Sequence, residues 1–482
     1  MNILFLYNST QTYTATVFEQ INSFALFSRH AAFFCHLDQF STLELDLSRF
    51  DAVAIHYSVR LPFDQISESA AQTLTSYRGL KFLFIQDEYD HTCRAWHWIN
   101  RLGIRLVFTA VPTVSIPTIY PPDKLPDVRF VNNLTGYVPE NLEVETSGVP
   151  ASKREIVFGY RGRPLHVRYG SLGQEKVAVG EIVRNYCAAN NIRCDIAWSE
   201  AERIYGPAWY EFLRSCRAVL GSESGSNVFD WDNSLWTRID SFKRANPSAS
   251  DDDIYEAIVK PVELDGIMNQ VSPRVFETIA AGAVLVLFEG NYSGLIKPGK
   301  HFISLKKDGS NLGDICKALQ DGAFIDEMTR KAFEDVIAPG TYSYKSYVGL
   351  VDDELDRAIK ALRSATASNV IQIGESIRSS NALTETNGAA LIELLRSTDV
   401  APTPVTTNPI FYKLPMPIKS PPSLSLPSMG RPSAGQVSAK TILINALYSV
   451  KRTMVFIWLR LPLSVRRFLR PAVHKAKQHL RR

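Results

Sequence analysis

The chain contains no run of eighteen apolar residues, so no membrane-spanning helix is expected. Its six cysteines form neither a Cys-x-x-Cys pair nor a regular ladder. That pattern speaks against a zinc cage or a disulfide framework and for a reducing compartment. Nothing basic precedes the apolar run in the opening MNILFLYNS, which therefore reads as a first strand rather than a signal peptide. Low charge and low hydrophobicity are both missing too. At 45% hydrophobic and 21% charged, the 482 residues belong to the globular class, long enough for two or three domains.

Charge is unevenly distributed along the chain. Residues 440–482 hold eleven Lys or Arg and no Asp or Glu, so the overall +4 leaves residues 1–439 at −7. An acidic body argues against nucleic acid as its partner, and the tail needs a separate explanation.

Short apolar runs that end in polar residues recur at Ile3–Tyr7, Ala52–Tyr57, Phe82–Gln86 and Leu106–Ala110. Strands covered on both faces by crossover helices look like this, and the sheet they form is parallel. After a proline-rich transition at 112–150 the pattern restarts at Ile156–Tyr160, Cys194–Trp198, Ala218–Gly221, Val284–Phe288 and Phe302–Leu305. Two α/β modules facing each other are expected, residues 1–150 and 151–363, with a polar insertion at 229–270 inside the second. Within the insertion, SASDDDIYEAI is a capped helix start with Ser250 or Asp251 as the cap. Nine of the 26 prolines lie between 402 and 432, so residues 364–438 read as an extended linker. From Val465 to Leu480 apolar and basic residues alternate at helical spacing, interrupted by Pro471. A basic amphipathic segment of this kind, within 439–482, points to an anionic membrane surface.

The most informative stretch is SPRVFETIAAGAVLVLFEGNY at Ser272–Tyr292. Ser272, Pro273 and Gly282 suit a helix cap, a first turn and a helix end. Arg274 and Glu277 then lie one turn apart near the amino end, where free N–H groups favour an anion. The same spacing also makes an ordinary surface ion pair. Strand IVFGY is followed by Arg161, Arg163, Arg168 and Lys176, a basic loop that suits a diphosphate or simply faces solvent.

The S-P-R-x-F-E-x-x-A-A-G-A helix, followed by E-G-x-Y-S-G and H-F-I-x-L-K-K-D-x-S-N-L, resembles the nucleotide-binding half of group-1 glycosyltransferases. Within that group it is nearest the branch of spore-maturation proteins. The resemblance covers roughly residues 1–360 and implies the GT-B fold, two Rossmann-like domains around a cleft. It implies an enzyme moving a sugar from a nucleotide-diphospho-sugar to a glycan or lipid-linked acceptor, without a metal or other cofactor and in retaining fashion. On this resemblance Glu277 meets the ribose while an Arg and a Lys, taken as Arg163 and Lys176, meet the diphosphate; Arg161 and Arg274 are further donor-binding candidates. Where many relatives carry a second glutamate this chain has Asn269, with Glu223 as the substitute and Ser224, in the same turn, as a further donor-binding candidate. Asn8, Ser9, His56 and the cluster Gln86–His91 sit at strand ends of the acceptor half. Asp87, Glu88 or His91 could act as base in an inverting enzyme, and His56 could line the pocket of a retaining one. Asp230-Trp231-Asp232 spells D-x-D but reads as a solvated loop. The expected place is the cytoplasm, peripheral on the inner face of the cell membrane. A sugar-nucleotide epimerase and a catalytically inactive glycan-binding or scaffold protein are the alternatives.

Overall fold

A computed structural model describes residues 1–139, 142, 148–380 and 410–411, with 365–380 and 410–411 as backbone only. In the first sheet β1 (Asn2–Tyr7), β2 (Ala31–His36), β3 (Ala52–Ile55), β4 (Leu80–Ile85), β5 (Leu106–Thr109) and β6 (Arg129–Asn132) run parallel in the order 2-1-3-4-5-6. In the second, β7 (Ile156–Arg161), β8 (Cys194–Ala197), β9 (Cys216–Gly221), β10 (Val284–Phe288) and β11 (Phe302–Leu305) run parallel in the order 11-10-9-7-8. Two parallel α/β modules in this arrangement make the expected GT-B fold.

Alternation within each strand explains why the runs look uniformly apolar. Leu4, Leu6, Val53, Ile55, Leu83 and Ile85 build the core on one face of the first sheet. Ile3, Phe5, Ala52, Ala54, Phe82 and Phe84 build the other. Both faces are covered, so both parities must be hydrophobic. In the second module Phe158, Leu220 and Val286 face one core, and Leu285 and Leu287 face Phe276 and Ile279 in another.

The chain does not respect the boundary expected at residue 363. A helix from Tyr344 to Ser380 returns to the first module, where Tyr347, Val348, Val351 and Leu355 are buried against Phe24 and Phe84. The linker expected from residue 364 is accordingly helical as far as Ser380. Within the same stretch β12 (Ile410–Phe411) pairs antiparallel with β2. Residues 439–482, including the basic tail, lie outside the described residues. Among the described residues no helix is long and apolar enough to cross a membrane.

The insertion also crosses over. Phe229 and Met268 are buried in the first module's core, with Trp231 packed beside them. The Asp230 N–H donates to the Tyr89 carbonyl and the Cys93 N–H to the Trp231 carbonyl, each at 2.8 Å. Asp230 is therefore not in a solvated loop. It is 4% exposed and accepts from the N–H groups of Leu235 and Trp236. Only Asp232 faces solvent, accepting from the Ser234 N–H at 3.0 Å. The later helix start is settled by Ser250, which accepts from the Asp253 N–H at 3.1 Å while Asp253 accepts from the Ser250 N–H at 2.8 Å.

Between the modules, Arg168 meets Asp90 at 2.7 Å, with the side chains 16% and 4% exposed. The Tyr169 hydroxyl donates to the second Asp90 oxygen at 3.1 Å. Removing one partner of such a pair strands a buried charge, which typically costs about 3–5 kcal/mol. Arg168→Met should therefore destabilise strongly in urea unfolding. Adding Asp90→Asn to it should restore most of the loss, because no charge is then left buried. Equal stability of the single and double variants would refute this account of the contact.

Candidate functional site

In an open parallel sheet, ligands bind beyond the carboxyl ends of the strands, where the strand order reverses. The reversal lies between β1 and β3 in the first sheet and between β7 and β9 in the second. The loops that follow those strands line one cavity of about 1510 Å³. Its first-module wall includes Glu19, Arg60 and Asp87; its second-module wall includes Lys176, Arg274 and Glu277.

The second-module wall is built from three local decisions. The loop after β7 leads into the Gly170–Ala189 helix, whose second turn carries Lys176. Lys176 Nζ lies 3.4 Å from the Glu223 carbonyl and 3.3 Å from Ser224 Oγ, with no carboxylate among its hydrogen-bond partners. Burial first, and the neighbouring Arg274 second, bring its ammonium down to about 8. The turn carrying Ser224 needs Gly225, at φ +106°, because a Cβ there would stand 1.9 Å from the Met268 carbonyl.

Arg274 and Glu277 are on the Pro273–Ala280 helix. Arg274 donates through Nη2 to the Arg161 carbonyl at 2.6 Å and lies over the Tyr160 ring, but its buried Nε has no hydrogen-bond partner among the described residues. The Glu277 carboxylate accepts from Trp209 Nε1 at 2.8 Å. Burial raises its acid, and the Trp209 bond and Arg274 pull it back. The two are thus not a surface ion pair on a docking helix. Arg163 is exposed at the cavity wall.

Other sequence candidates are tied up in structural contacts, Arg161 while also lining the cavity. Arg161 ion-pairs with Asp195 at 2.8 Å and donates to the carbonyls of Tyr160, Asp195 and Glu202, so its guanidinium ties β7 to β8. Glu223 is 5% exposed and turned from the cavity. Its carboxylate accepts from Asn269 Nδ2 at 2.6 Å and from the N–H groups of Asn291 and Tyr292 at 3.2 and 2.7 Å. The pairing explains the amide at position 269: a second carboxylate there would face the first across a hydrogen-bond distance. Gly290 makes room for it, since a Cβ would come within 2.7 Å of Glu223 Oε2.

Of the acceptor-side candidates, Asp87 lines the cavity. It has φ +59°, a side chain 53% exposed, and accepts from the Tyr89 hydroxyl at 2.7 Å. Arg60 approaches it at 3.9 Å. His56 is wholly buried, Nε2 2.5 Å from Gln20 Oε1 and Nδ1 2.8 Å from Ser58 Oγ, and burial drives it down to about 3. It is a neutral strut for the first module. Asn8 is buried beside it, donating its N–H to Ser58 Oγ, while Ser9 Oγ lies 3.0 Å from His36 Nδ1. Glu88 is buried too, accepting from the Thr109 hydroxyl and the Ala110 N–H. His91 lines a separate pocket of about 460 Å³ with Phe63, His97 and Trp231.

Sequence reasoning missed Glu19, Arg60, Trp209 and His166, all at the cavity. The one available signal was that the helix after a first strand begins at the ligand edge of an open sheet, which points to ATVFEQ. Burial first, then the Glu277 carboxylate, push the Glu19 acid up to about 7.

No protein-family model matches this chain, and no curated protein is similar to it in sequence. Several solved structures are similar in chain path. T4 phage BGT in complex with UDP-glucose is 13% identical, with 74% of this chain and 99% of that one covered and a TM-score of 0.41. Anabaena HepE in complex with UDP is 10% identical, with 74% and 100% covered and a TM-score of 0.40. The sucrose-phosphate synthase of Thermosynechococcus elongatus is 11% identical, with 75% and 99% covered and a TM-score of 0.41. The likeness is one of fold.

Glu88 carries a pH-dependent term in stability. Burial raises its acid from 4.5 to about 7. Its contribution is complete below about pH 4.5 and is lost as pH rises through about 7, because ionisation is easier in the unfolded chain. Glu88→Gln keeps the accepting oxygen and removes the titration. It should match wild type near pH 5 and exceed it by up to about 3 kcal/mol near pH 9 in denaturant unfolding. An identical difference at both pH values would exclude a buried, protonated Glu88.

Proposed function

We propose that the protein is a glycosyltransferase that uses a nucleotide-diphospho-sugar. The observation that carries this reading is the convergence of Lys176, Arg274 and Glu277 in the cleft between two parallel sheets. Two cations without carboxylate hydrogen bonds suit a diphosphate, and a carboxylate beside them suits ribose hydroxyls. As the bond between the sugar's C1 and the phosphate oxygen breaks, negative charge grows on the departing diphosphate, and Lys176 and Arg274 stabilise it. Arg163 adds charge at the wall. Asp87, on the opposite wall and close enough to influence Lys176, is placed to accept a hydrogen bond from an acceptor hydroxyl.

Finer features extend this reading. The motif resemblance favours the spore-maturation branch, a retaining outcome and a glycan or lipid-linked acceptor in cell-surface polysaccharide synthesis. The eleven unopposed basic residues of 440–482 favour a peripheral position on an anionic membrane face. A second reading, a catalytically inactive glycan-binding member of the fold, is favoured by the Glu223–Asn269 bond, which turns the substitute carboxylate away from the sugar's place. Nucleoside diphosphate release from a panel of sugar nucleotides separates the two readings.

Loss of a hydrogen bond to a charged group costs about 1.5–3 kcal/mol, or roughly 10- to 150-fold in affinity. Lys176→Ala and Glu277→Ala should each weaken nucleoside diphosphate binding by that much in calorimetry. Affinity should also fall as pH passes the Lys176 value of about 8. Unchanged affinity in both variants would remove the donor site. Turnover should survive EDTA; loss of activity restored by Mn²⁺ would show that a metal is needed. For the tail, the expected result is sedimentation with anionic vesicles, reversed by high salt, since exposed charges are screened within about 8 Å at physiological ionic strength. Equal partitioning onto neutral and anionic vesicles would end the membrane proposal.

A further inference from the structure

One carboxyl in the cleft has no role in that scheme. Glu19 lies on the Ala15–Phe27 helix of the first module, half-buried, and lines the same cavity as Glu277. Among the described residues it has no hydrogen-bond or ion-pair partner. Glu277 lines that cavity from the second module and is near enough for its charge to act on Glu19, whose own charge reaches Tyr57, Tyr210 and Tyr344.

Two carboxyls approaching from opposite walls repel when both are charged, and burial sharpens the conflict. A ligand group that resolves it must offer hydrogen bonds to both and carry no negative charge itself. The diphosphate does not qualify, and its place is already defined by Lys176 and Arg274. A neutral vicinal diol does qualify, since its two hydroxyls can serve one carboxyl each.

We propose that Glu19 is a second ribose-binding residue, which with Glu277 brackets the 2′,3′-diol of the donor nucleoside so that both modules hold it. The proposal rests on the donor-site reading above. Its consequence is selectivity: a site built around hydroxyls leaves buried acceptors unpaired when an analogue lacks them. It also couples nucleoside binding to the spacing of the two walls, because the ligand bridges them.

The test is calorimetry with UDP, GDP and ADP, followed by the 2′,3′-dideoxy form of whichever binds tightest. Wild type, Glu19→Ala, Glu19→Gln and Lys176→Ala are compared, each first checked for an unaltered thermal transition. Glu19→Ala should bind the ribonucleotide at least about tenfold more weakly, the loss of one hydrogen bond to a charged group, yet bind the dideoxy form as wild type does. Glu19→Gln, which still accepts, should retain most of the affinity. Lys176→Ala should lose both nucleotides alike. Equal affinity of wild type and Glu19→Ala for the ribonucleotide would overturn the proposal. So would an equal loss for both nucleotides, or tighter binding by Glu19→Ala, which would make Glu19 only a repulsive charge. Dependence of wild-type affinity on added Mg²⁺ that vanishes in Glu19→Ala would assign the pair to a cation instead. If none of the three diphosphates binds wild type, the donor-site reading fails and this inference falls with it.

Discussion

The buried pair between Asp90 and Arg168 sets the position of one cleft wall against the other. Asp90 belongs to the loop after β4 and Arg168 to the loop after β7, so the contact joins the ligand edges of both sheets directly. Around it the Tyr89–Asp230 and Trp231–Cys93 backbone bonds and the burial of Phe229 and Met268 add apolar closure. The insertion therefore works as a strap between modules. An ion pair at this depth contributes little net stability when whole, but breaking it is expensive, which makes it a geometric constraint more than a source of stability.

With the walls held, the cleft concentrates groups that are unfavourable in an empty protein. Lys176 and Arg274 are crowded cations, Glu19 and Glu277 crowded acids, and Asp87 occupies a left-handed backbone conformation. Each departs from what packing alone would select. Proteins tolerate such departures where a ligand relieves them, and the supporting structure must over-determine the geometry. The Tyr347–Gln20–His56–Ser58 chain does this for the first module: it fixes the Ala15–Phe27 helix to β3 and to the returning Tyr344–Ser380 helix. His56 is thus a structural residue one position from Tyr57 at a ligand edge. Strand-end position alone could not distinguish it from a catalytic histidine.

The same ambiguity accounts for Glu88 and Glu223. Both follow a strand, as ligand-binding acids do, and both turn inward to satisfy backbone N–H groups of a neighbouring loop. Asp87, next to Glu88, lines the cavity instead and has a backbone at positive φ. Sequence offers no sign of which adjacent acid turns inward.

Periodicity in the sequence determined the two parallel sheets and the helix carrying Arg274 and Glu277, though Ser272 makes no side-chain cap bond there. Those features depend on local propensity and on burial of both strand faces. It did not reveal β2 or β6, the runs AAFFCH and RFVN. Only the tertiary structure decided that the last helix returns to the first module, that the insertion straps the cleft, and that Glu19 and Glu277 line the same cavity. Each of these is a contact between residues far apart in the chain. Their free energy comes from desolvation and from charges meeting across the interior, and no window of neighbouring residues contains both partners.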